Sequence, residues 1–258
     1  MNVESFTAES TGDRQPERRF WGFWPTAGFG LAFVAGYLFI GILVGIIFVI
    51  YILSSQPNLG LTDLTNRLYD YIGLISSIGT LLTAIVSVVL TILFIKARRN
   101  ISITEYLGLK IISWKAALLI VGITFGLLAV SALLSYVFKI SDNKFDLQLY
   151  QTSIWPPLLW MALVIFAPVS EEILFRGFLF QGFRHSRLGA ARTVVLMALV
   201  WSSLHIQYDI YGIASIFTLG LVLGFVRLKT DSLWSPLLMH GLWNLVATVQ
   251  LVLSSSGS

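Results

Sequence analysis

One stretch of the sequence decides the fold class. Residues 158–183 read LLWMALVIFAPVSEEILFRGFLFQGF, an apolar run broken by only three charged residues, Glu171, Glu172 and Arg176. A helix needs about 20 apolar residues to cross a hydrocarbon core of about 30 Å, so the run predicts a membrane-spanning helix. A charge at the bilayer centre costs at least about 2.5 to 3.5 kcal/mol by insertion scales, and residues that carry one there usually have a function.

The composition of the whole chain excludes a soluble protein. Of its 258 residues, 56% are hydrophobic and 12% are charged, and the mean hydropathy is +0.82, whereas about a quarter of the residues of a soluble domain are charged. Cysteine is absent, which excludes disulfides, thiol nucleophiles and cysteine-bound zinc. The net charge of +4 comes from short basic clusters between apolar runs, a pattern that indicates membrane topology and predicts no nucleic-acid partner.

Seven apolar runs predict an all-α polytopic transmembrane bundle of about seven to eight helices. The runs are Thr26–Leu53, Ile72–Ile95, Ala116–Phe138, Leu158–Phe183, Thr193–Gln207, Ile210–Val226 and Leu233–Leu253. An eighth, interfacial helix is expected within Leu59–Tyr71. The boundaries divide the chain into a polar N-terminal tail (1–25), N-terminal helices and loops (26–155), a C-terminal helical core (156–253) and a C-terminal tail (254–258).

The positions of the Lys and Arg residues predict which side of the membrane each loop faces. With a cytoplasmic N-terminus, thirteen Lys and Arg residues fall in inner segments and three in outer ones, with Arg176 set aside as intramembrane. The positive-inside rule therefore favours a cytoplasmic N-terminus and an outer C-terminus. Two glycine pairs at four-residue spacing, Gly41 with Gly45 and Gly220 with Gly224, predict close helix packing.

The three intramembrane charges predict two different roles. Glu172 and Arg176 are one helical turn apart, so a salt bridge along one helix face can fix both side chains. Glu171 points about 100° away from Glu172 on an α-helix and lacks that partner, which leaves it as a candidate general base. The alternative is a buried structural ion pair beside a neutral carboxyl.

Two further motifs with histidine are expected at about the same depth in the membrane as Glu171. His205 shares a helix face with Trp201, and His240 shares one with Asn244. If the helix through Glu171 continues to Arg184, then Glu171, His205 and His240 lie about 20, 18 and 16 Å from the inner boundary at 1.5 Å per residue. The motifs can therefore meet, although His240 and Asn244 could also serve only to bridge helices by hydrogen bonds.

These three motifs resemble the signatures of the CPBP family, which groups type II CAAX prenyl endopeptidases with bacteriocin-processing and self-immunity membrane proteins. The resemblance covers Pro156–Leu251 and implies a glutamate-dependent intramembrane endopeptidase without a cofactor. Glu171 and His205 would activate a water, and His240 and Asn244 would stabilise the oxyanion. Glu172 and Arg176 would support the site structurally. Trp201 stands where the family usually has Phe, so this chain departs from the family pattern in a residue that would line the pocket wall.

Other functions remain open at this point. Two imidazoles and a carboxylate, from His205, His240 and Glu171, could bind zinc, although the chain lacks a His-Glu-x-x-His motif. A non-proteolytic scaffold or immunity protein of the same fold and a proton-coupled transporter are the non-peptidase alternatives. We expect a site that opens toward the cytoplasm in a bacterial or archaeal plasma membrane. Its expected partners are membrane lipid and a membrane-associated peptide or protein, while substrate identity and oligomeric state stay undetermined.

Overall fold

The computed structural model describes residues 20–140 and 144–255. The outer parts of the two predicted tails, 1–19 and 256–258, lie outside the described residues. Within the described ranges the chain forms ten helices and no strands, which confirms the predicted all-helical bundle. The helices are α1 Phe23–Ser55, α2 Leu61–Asp70, α3 Ile72–Lys96, α4 Ile103–Leu107, α5 Trp114–Phe138, α6 Lys144–Gln151, α7 Pro156–Arg184, α8 Ala190–Ser203, α9 Ile210–Thr230 and α10 Trp234–Ser255.

The predicted number of seven full spans is wrong. In the described residues, six helices are long and apolar enough to cross a membrane, namely α1, α3, α5, α7, α9 and α10. The run Thr193–Gln207 instead gives α8, which has 14 residues and is about 21 Å long. It ends at Ser203 because the chain then turns toward Asp209, whose carboxylate accepts a hydrogen bond from the amide of Gly212 (2.8 Å) and so caps α9.

Three short helices lie between the spans. The predicted interfacial helix within Leu59–Tyr71 is confirmed as α2, while α4 and α6 were not predicted. α4 begins where the hydroxyl of Ser102 accepts a hydrogen bond from the amide of Glu105 (3.2 Å). It ends at Gly108, which has φ +66°, a left-handed conformation that glycine adopts without strain.

One of the two predicted glycine contacts is present. A Cβ at Gly220 would lie 3.1 Å from Cα of Ala198, and one at Gly224 would lie 3.0 Å from Cγ1 of Val194. These glycines therefore let α9 approach α8 closely. Gly41 and Gly45 have no described atom within 4 Å of the corresponding position, so the close approach predicted at that pair is wrong for the described part of the chain.

A buried arginine ties the short helix α4 to the centre of the bundle. Arg227 on α9 is fully buried. Its Nε donates to the carbonyl of Arg176 on α7 (3.0 Å), and its Nη2 donates to the carbonyl of Leu107 on α4 (3.1 Å). Asp231 accepts from the same guanidinium (3.4 Å). These bonds hold α4 and α9 against α7 at Arg176, the last of the three charged residues within α7.

Candidate active site

The helix that carries Glu171 and Glu172 departs from α geometry on both sides of them. Residues Ala162–Phe166 and Ile173–Leu179 are π-helical, and they flank the α-helical turns Ala167–Glu172. Wider turns of this kind occur mostly at functional sites. They also explain how α7 stays continuous, as predicted, from the outer end of the bundle to Arg184.

Pro168 explains one of these segments and the position of Asn244. Proline has no amide hydrogen, and the amide of Ala167 bonds to the carbonyl of Ala162. The carbonyl of Leu163 therefore lacks a helical donor. Nδ2 of Asn244 on α10 donates to it (2.8 Å). Since an amide NH₂ carries two hydrogens, the second one stays available to a ligand.

Glu172 forms a wider network than the predicted pair. Its Oε1 accepts from Nη1 of Arg176 (3.0 Å) and from Nδ1 of His240 (2.8 Å), and Glu172 and Arg176 are fully buried. The guanidinium also donates to the carbonyl of Gly220 (3.3 Å) and lies 4.4 Å from the ring centroid of Trp201. The predicted salt bridge between Glu172 and Arg176 is therefore present. Glu172 also bonds to His240, the first residue of the third motif.

The partner of His240 fixes its proton arrangement. A carboxylate only accepts hydrogen bonds, so the contact with Glu172 places a hydrogen on Nδ1 of His240. Nε2 then points toward Glu171, 3.9 Å from its Oε2. In the imidazolium form this nitrogen also carries a hydrogen and can donate to a developing negative charge. His240 therefore bridges the two adjacent glutamates.

Trp201 lies at the centre of the three motifs. Its Nε1 donates to Oε2 of Glu171 (2.5 Å), and its ring centroid lies 5.2 Å from the ring centroids of both His205 and His240. The indole is 2% exposed, whereas the side chain of Glu171 is 24% exposed. One oxygen of Glu171 is thus held by a buried donor, while the carboxylate keeps an accessible face. The sequence placed Trp201 in the pocket wall but gave no sign of this hydrogen bond.

His205 occupies a different position from the one expected. It lies two residues beyond the end of α8, and its Nδ1 contacts the carbonyl of Trp201 (2.8 Å). Because a carbonyl only accepts, this contact places the hydrogen on Nδ1 and leaves Nε2 with a lone pair. Among the described residues, no direct bond joins His205 to Glu171. Both groups contact Trp201, His205 through its ring and Glu171 through the indole Nε1.

The donors of the zinc alternative do not converge. Within 20–140 and 144–255, no group of three His, Asp or Glu side chains could hold a metal ion. Nε2 of His240 lies 3.9 Å from Oε2 of Glu171, whereas the ring nitrogen Nδ1 of His205 bonds to the carbonyl of Trp201. The donor set of three side chains proposed from the sequence is therefore not assembled in this structure.

Two residues that support the site, Tyr37 and Ser87, were not predicted from the sequence. Tyr37 on α1 hydrogen-bonds to Ser87 on α3, whose hydroxyl donates to the carbonyl of Ser170 (3.3 Å), next to Glu171. Tyrosine and serine are common in apolar runs, so nothing marked these two. Pro168 was a stronger signal, since a proline inside a helix leaves a carbonyl of the preceding turn without its amide donor. Its identity as Leu163 follows only from the π-helical turn.

Aromatic rings pack against one another at the basic end of the bundle. The ring of Phe20 lies 5.3 Å from that of Tyr106 and 3.9 Å from that of His185, and Tyr106 stacks on Phe178 at 5.5 Å. Phe178 and Phe180 on α7 are fully buried. A cleft of about 830 Å³ at the opposite end of the bundle is lined by Asn244 and Leu163. The opening toward the cytoplasm stays a prediction.

The comparison with known families agrees with this geometry. Residues 153–246 match the family model described as "Type II CAAX prenyl endopeptidase Rce1-like". Over this segment the chain is similar to the Rce1-like family. The match supports the predicted family, and the matched segment contains all seven candidate residues, Glu171, Glu172, Arg176, Trp201, His205, His240 and Asn244.

A curated relative overlaps with part of the chain. An Escherichia coli protein described as "Uncharacterized 24.3 kDa protein" is 29% identical over 116 residues, which are 42% of this chain and 52% of the relative. The chain thus covers about half the length of that protein. No solved structure matches the chain. The Rce1-like match and the six apolar helices together support an integral multi-pass membrane protein.

Proposed function

We propose that this protein is an intramembrane endopeptidase that hydrolyses a peptide bond of a membrane-associated polypeptide. The observation that carries the proposal is the carboxylate of Glu171, which receives a hydrogen bond from the buried indole of Trp201 and stays 24% exposed. A general base needs this combination of a fixed position and an accessible oxygen. His205, with its lone pair on Nε2, would accept the second hydrogen bond of the attacking water.

The reaction balances with the residues of this site. The water oxygen attacks the scissile carbonyl carbon, Glu171 takes one proton, and the carbonyl oxygen becomes an oxyanion. Collapse of this intermediate breaks the C–N bond, and the proton on Glu171 moves to the leaving nitrogen. The products are a carboxylic acid and an amine, and no redox partner or cofactor is consumed.

Two donors would stabilise the oxyanion. Nε2 of His240 in the imidazolium form would be one, with the ring held at Nδ1 by Glu172 (2.8 Å). The second Nδ2 hydrogen of Asn244 would be the other, with the amide held by the bond of its first hydrogen to the carbonyl of Leu163 (2.8 Å). Fixed donors in a site that excludes water can contribute about 3 to 4 kcal/mol to the transition state. Glu172 would also balance the charge of His240, and Arg176 would balance Glu172.

The setting of the reaction follows from the same proposal. The protein would act in a cell membrane on a lipidated or membrane-embedded peptide or protein, surrounded by lipid and without a bound cofactor. A scaffold or self-immunity protein of the same fold is the competing function, since the family also includes non-catalytic members.

A comparison of new protein termini separates these functions. Membranes from cells that express wild type, Glu171→Ala or no protein are compared by mass spectrometry of N- and C-terminal peptides. We expect new termini in wild type that are absent from both other strains. A scaffold predicts instead that Glu171→Ala behaves like wild type while the deletion strain differs, and that result would refute the proposal.

A further inference from the structure

The turn that carries His205 has little packing of its own. It covers residues 204–209, between α8 and α9. Leu204 is 54% and Ile206 is 85% exposed, and within the turn only His205 and Tyr208 are half-buried. The amide of Tyr208 donates to the carbonyl of His205 (3.1 Å), so these two residues are also joined through the backbone. An exposed turn with few buried contacts has low local stability unless another element holds it.

Tyr208 connects this turn to a different element. Its hydroxyl donates to both carboxylate oxygens of Asp146 on α6 (3.0 and 3.3 Å). Its ring centroid lies 6.2 Å from that of His205. Among the described residues, no other side chain of the turn hydrogen-bonds to an element other than α8 or α9. The bond from Tyr208 to Asp146 is therefore the polar tie between this turn and the rest of the bundle.

α6 is held firmly enough to serve as the anchor of this tie. Oγ1 of Thr152, just after α6, accepts from the amide of Gly73 on α3 (2.9 Å). A Cβ at Gly73 would lie 2.8 Å from the amide nitrogen of Ser153, so the absence of a side chain lets the two segments meet closely. Leu149 on α6 is buried. The long span α3 thus keeps Asp146 in place.

The carboxylate of Asp146 depends on Tyr208 in turn. Burial raises the pKa of Asp146, and the hydrogen bond from Tyr208 offsets part of that rise. No other described side chain hydrogen-bonds to this carboxylate. A buried polar group that loses its partner costs more free energy than the bond contributes, so the pair is favoured over either group alone.

We propose that Tyr208 and Asp146 are positioning residues that fix His205 in the candidate active site, because their hydrogen bond ties the turn between α8 and α9 to α6. This inference rests on the proposed peptidase function. It adds to the mechanism Asp146, which lies outside the segment that matches the Rce1-like model. The bond from Nδ1 of His205 to the carbonyl of Trp201 (2.8 Å) sets the direction of the ring, whereas the tie sets the place of the turn. A displacement of about 1 Å can lower a rate about a hundredfold.

Four variants test the tie. Tyr208→Phe removes only the hydroxyl, Asp146→Ala removes the acceptor, and Asp146→Asn keeps an acceptor oxygen. Tyr211→Phe is the matched control, since this exposed tyrosine makes no side-chain hydrogen bond among the described residues. Each purified variant is reconstituted into lipid vesicles with a protein identified by its Glu171-dependent cleavage. kcat and KM are measured there, and Tm is measured in detergent.

The loss should appear in kcat. Tyr208→Phe and Asp146→Ala should lower kcat at least about tenfold, with KM changed less than about twofold. Asp146→Asn should recover most of the wild-type rate, and Tyr211→Phe should keep it. In a His205→Gln background, Tyr208→Phe should lower the residual kcat less than about twofold, because the hydroxyl acts through His205.

The spectrum of His205 gives a readout that does not depend on cleavage. The chain has three histidines, so their ring carbon–proton signals can be resolved by NMR, and the signal of His205 is the one lost in His205→Gln. Asp146→Ala changes neither the histidine nor Tyr208, so a shifted or broadened His205 signal reports a displaced turn. The signal of His185, at the other end of the bundle, should stay unchanged.

Two results would overturn the positioning role while leaving the peptidase standing. One is a kcat of Tyr208→Phe within about twofold of wild type. The other is a His205 signal that is unchanged in both Tyr208→Phe and Asp146→Ala, even if Tm falls. A wild-type protein without any Glu171-dependent cleavage would instead refute the peptidase, and the His205 signal would then still distinguish a tied turn from a free one.

Discussion

Removal of the Glu172 carboxylate should destabilise the fold strongly. In Glu172→Ala, Arg176 and His240 lose their shared acceptor at 3.0 and 2.8 Å, in a region where all three side chains are at most 4% exposed. Breaking a buried pair by removing one partner typically costs about 3 to 5 kcal/mol. Arg176 keeps its bond to the carbonyl of Gly220 and its contact with Trp201, so we expect the lower end, about 3 kcal/mol.

A double variant separates the charge effect from general damage to the helix. For a chain of this size, about 3 kcal/mol corresponds to a fall in Tm of about 6 to 12 °C. Thermal unfolding of the purified protein in detergent measures it. Glu172→Ala with Arg176→Met should recover at least half of the loss, since it removes both buried charges. A single variant with unchanged Tm, or a double variant less stable than the single one, would refute a charge-paired centre.

Two other changes test neighbouring parts of the structure. Trp201→Phe removes the indole donor to Glu171, so kcat should fall about ten- to a hundredfold with little change in KM, although Phe is the residue that the CPBP family usually has there; an unchanged kcat would exclude a positioning role. Burial disfavours the ionised form of Asp231, but hydrogen bonds from Lys110 and Arg184 and the charge of Arg227 outweigh it and hold its pKa below the ordinary 3.8. Its stabilising contribution is therefore present at neutral pH and is lost progressively as the pH falls below 3.8, so Asp231→Asn should lower Tm at pH 7, and by less as the pH falls below 3.8.

The sequence was most informative where physical constraints are strict. An apolar run of about 17 residues or more is long enough to cross the bilayer, which is why α1, α3, α5, α7, α9 and α10 were all predicted. The four-residue spacing of Glu172 and Arg176 was equally direct, because it places both side chains on one helix face. The CPBP resemblance then brought together helices that lie far apart along the chain.

The errors have physical causes as well. α8 stops at Ser203 because the chain turns there toward the start of α9, and hydropathy alone cannot separate a short helix followed by an apolar turn from a full span. The hydrogen bond from Trp201 to Glu171 depends on side-chain direction, which spacing does not give.

Glu171→Gln gives the most direct test of the proposed chemistry. The purified variant, wild type and the surface control Asp63→Asn are reconstituted into lipid vesicles with a protein identified by its Glu171-dependent cleavage. Because the amide cannot accept the proton from water, kcat should fall at least about a hundredfold in Glu171→Gln, with Tm within about 2 °C of wild type, while Asp63→Asn stays active. A folded Glu171→Gln protein that cleaves at the wild-type rate would show that Glu171 is not the base.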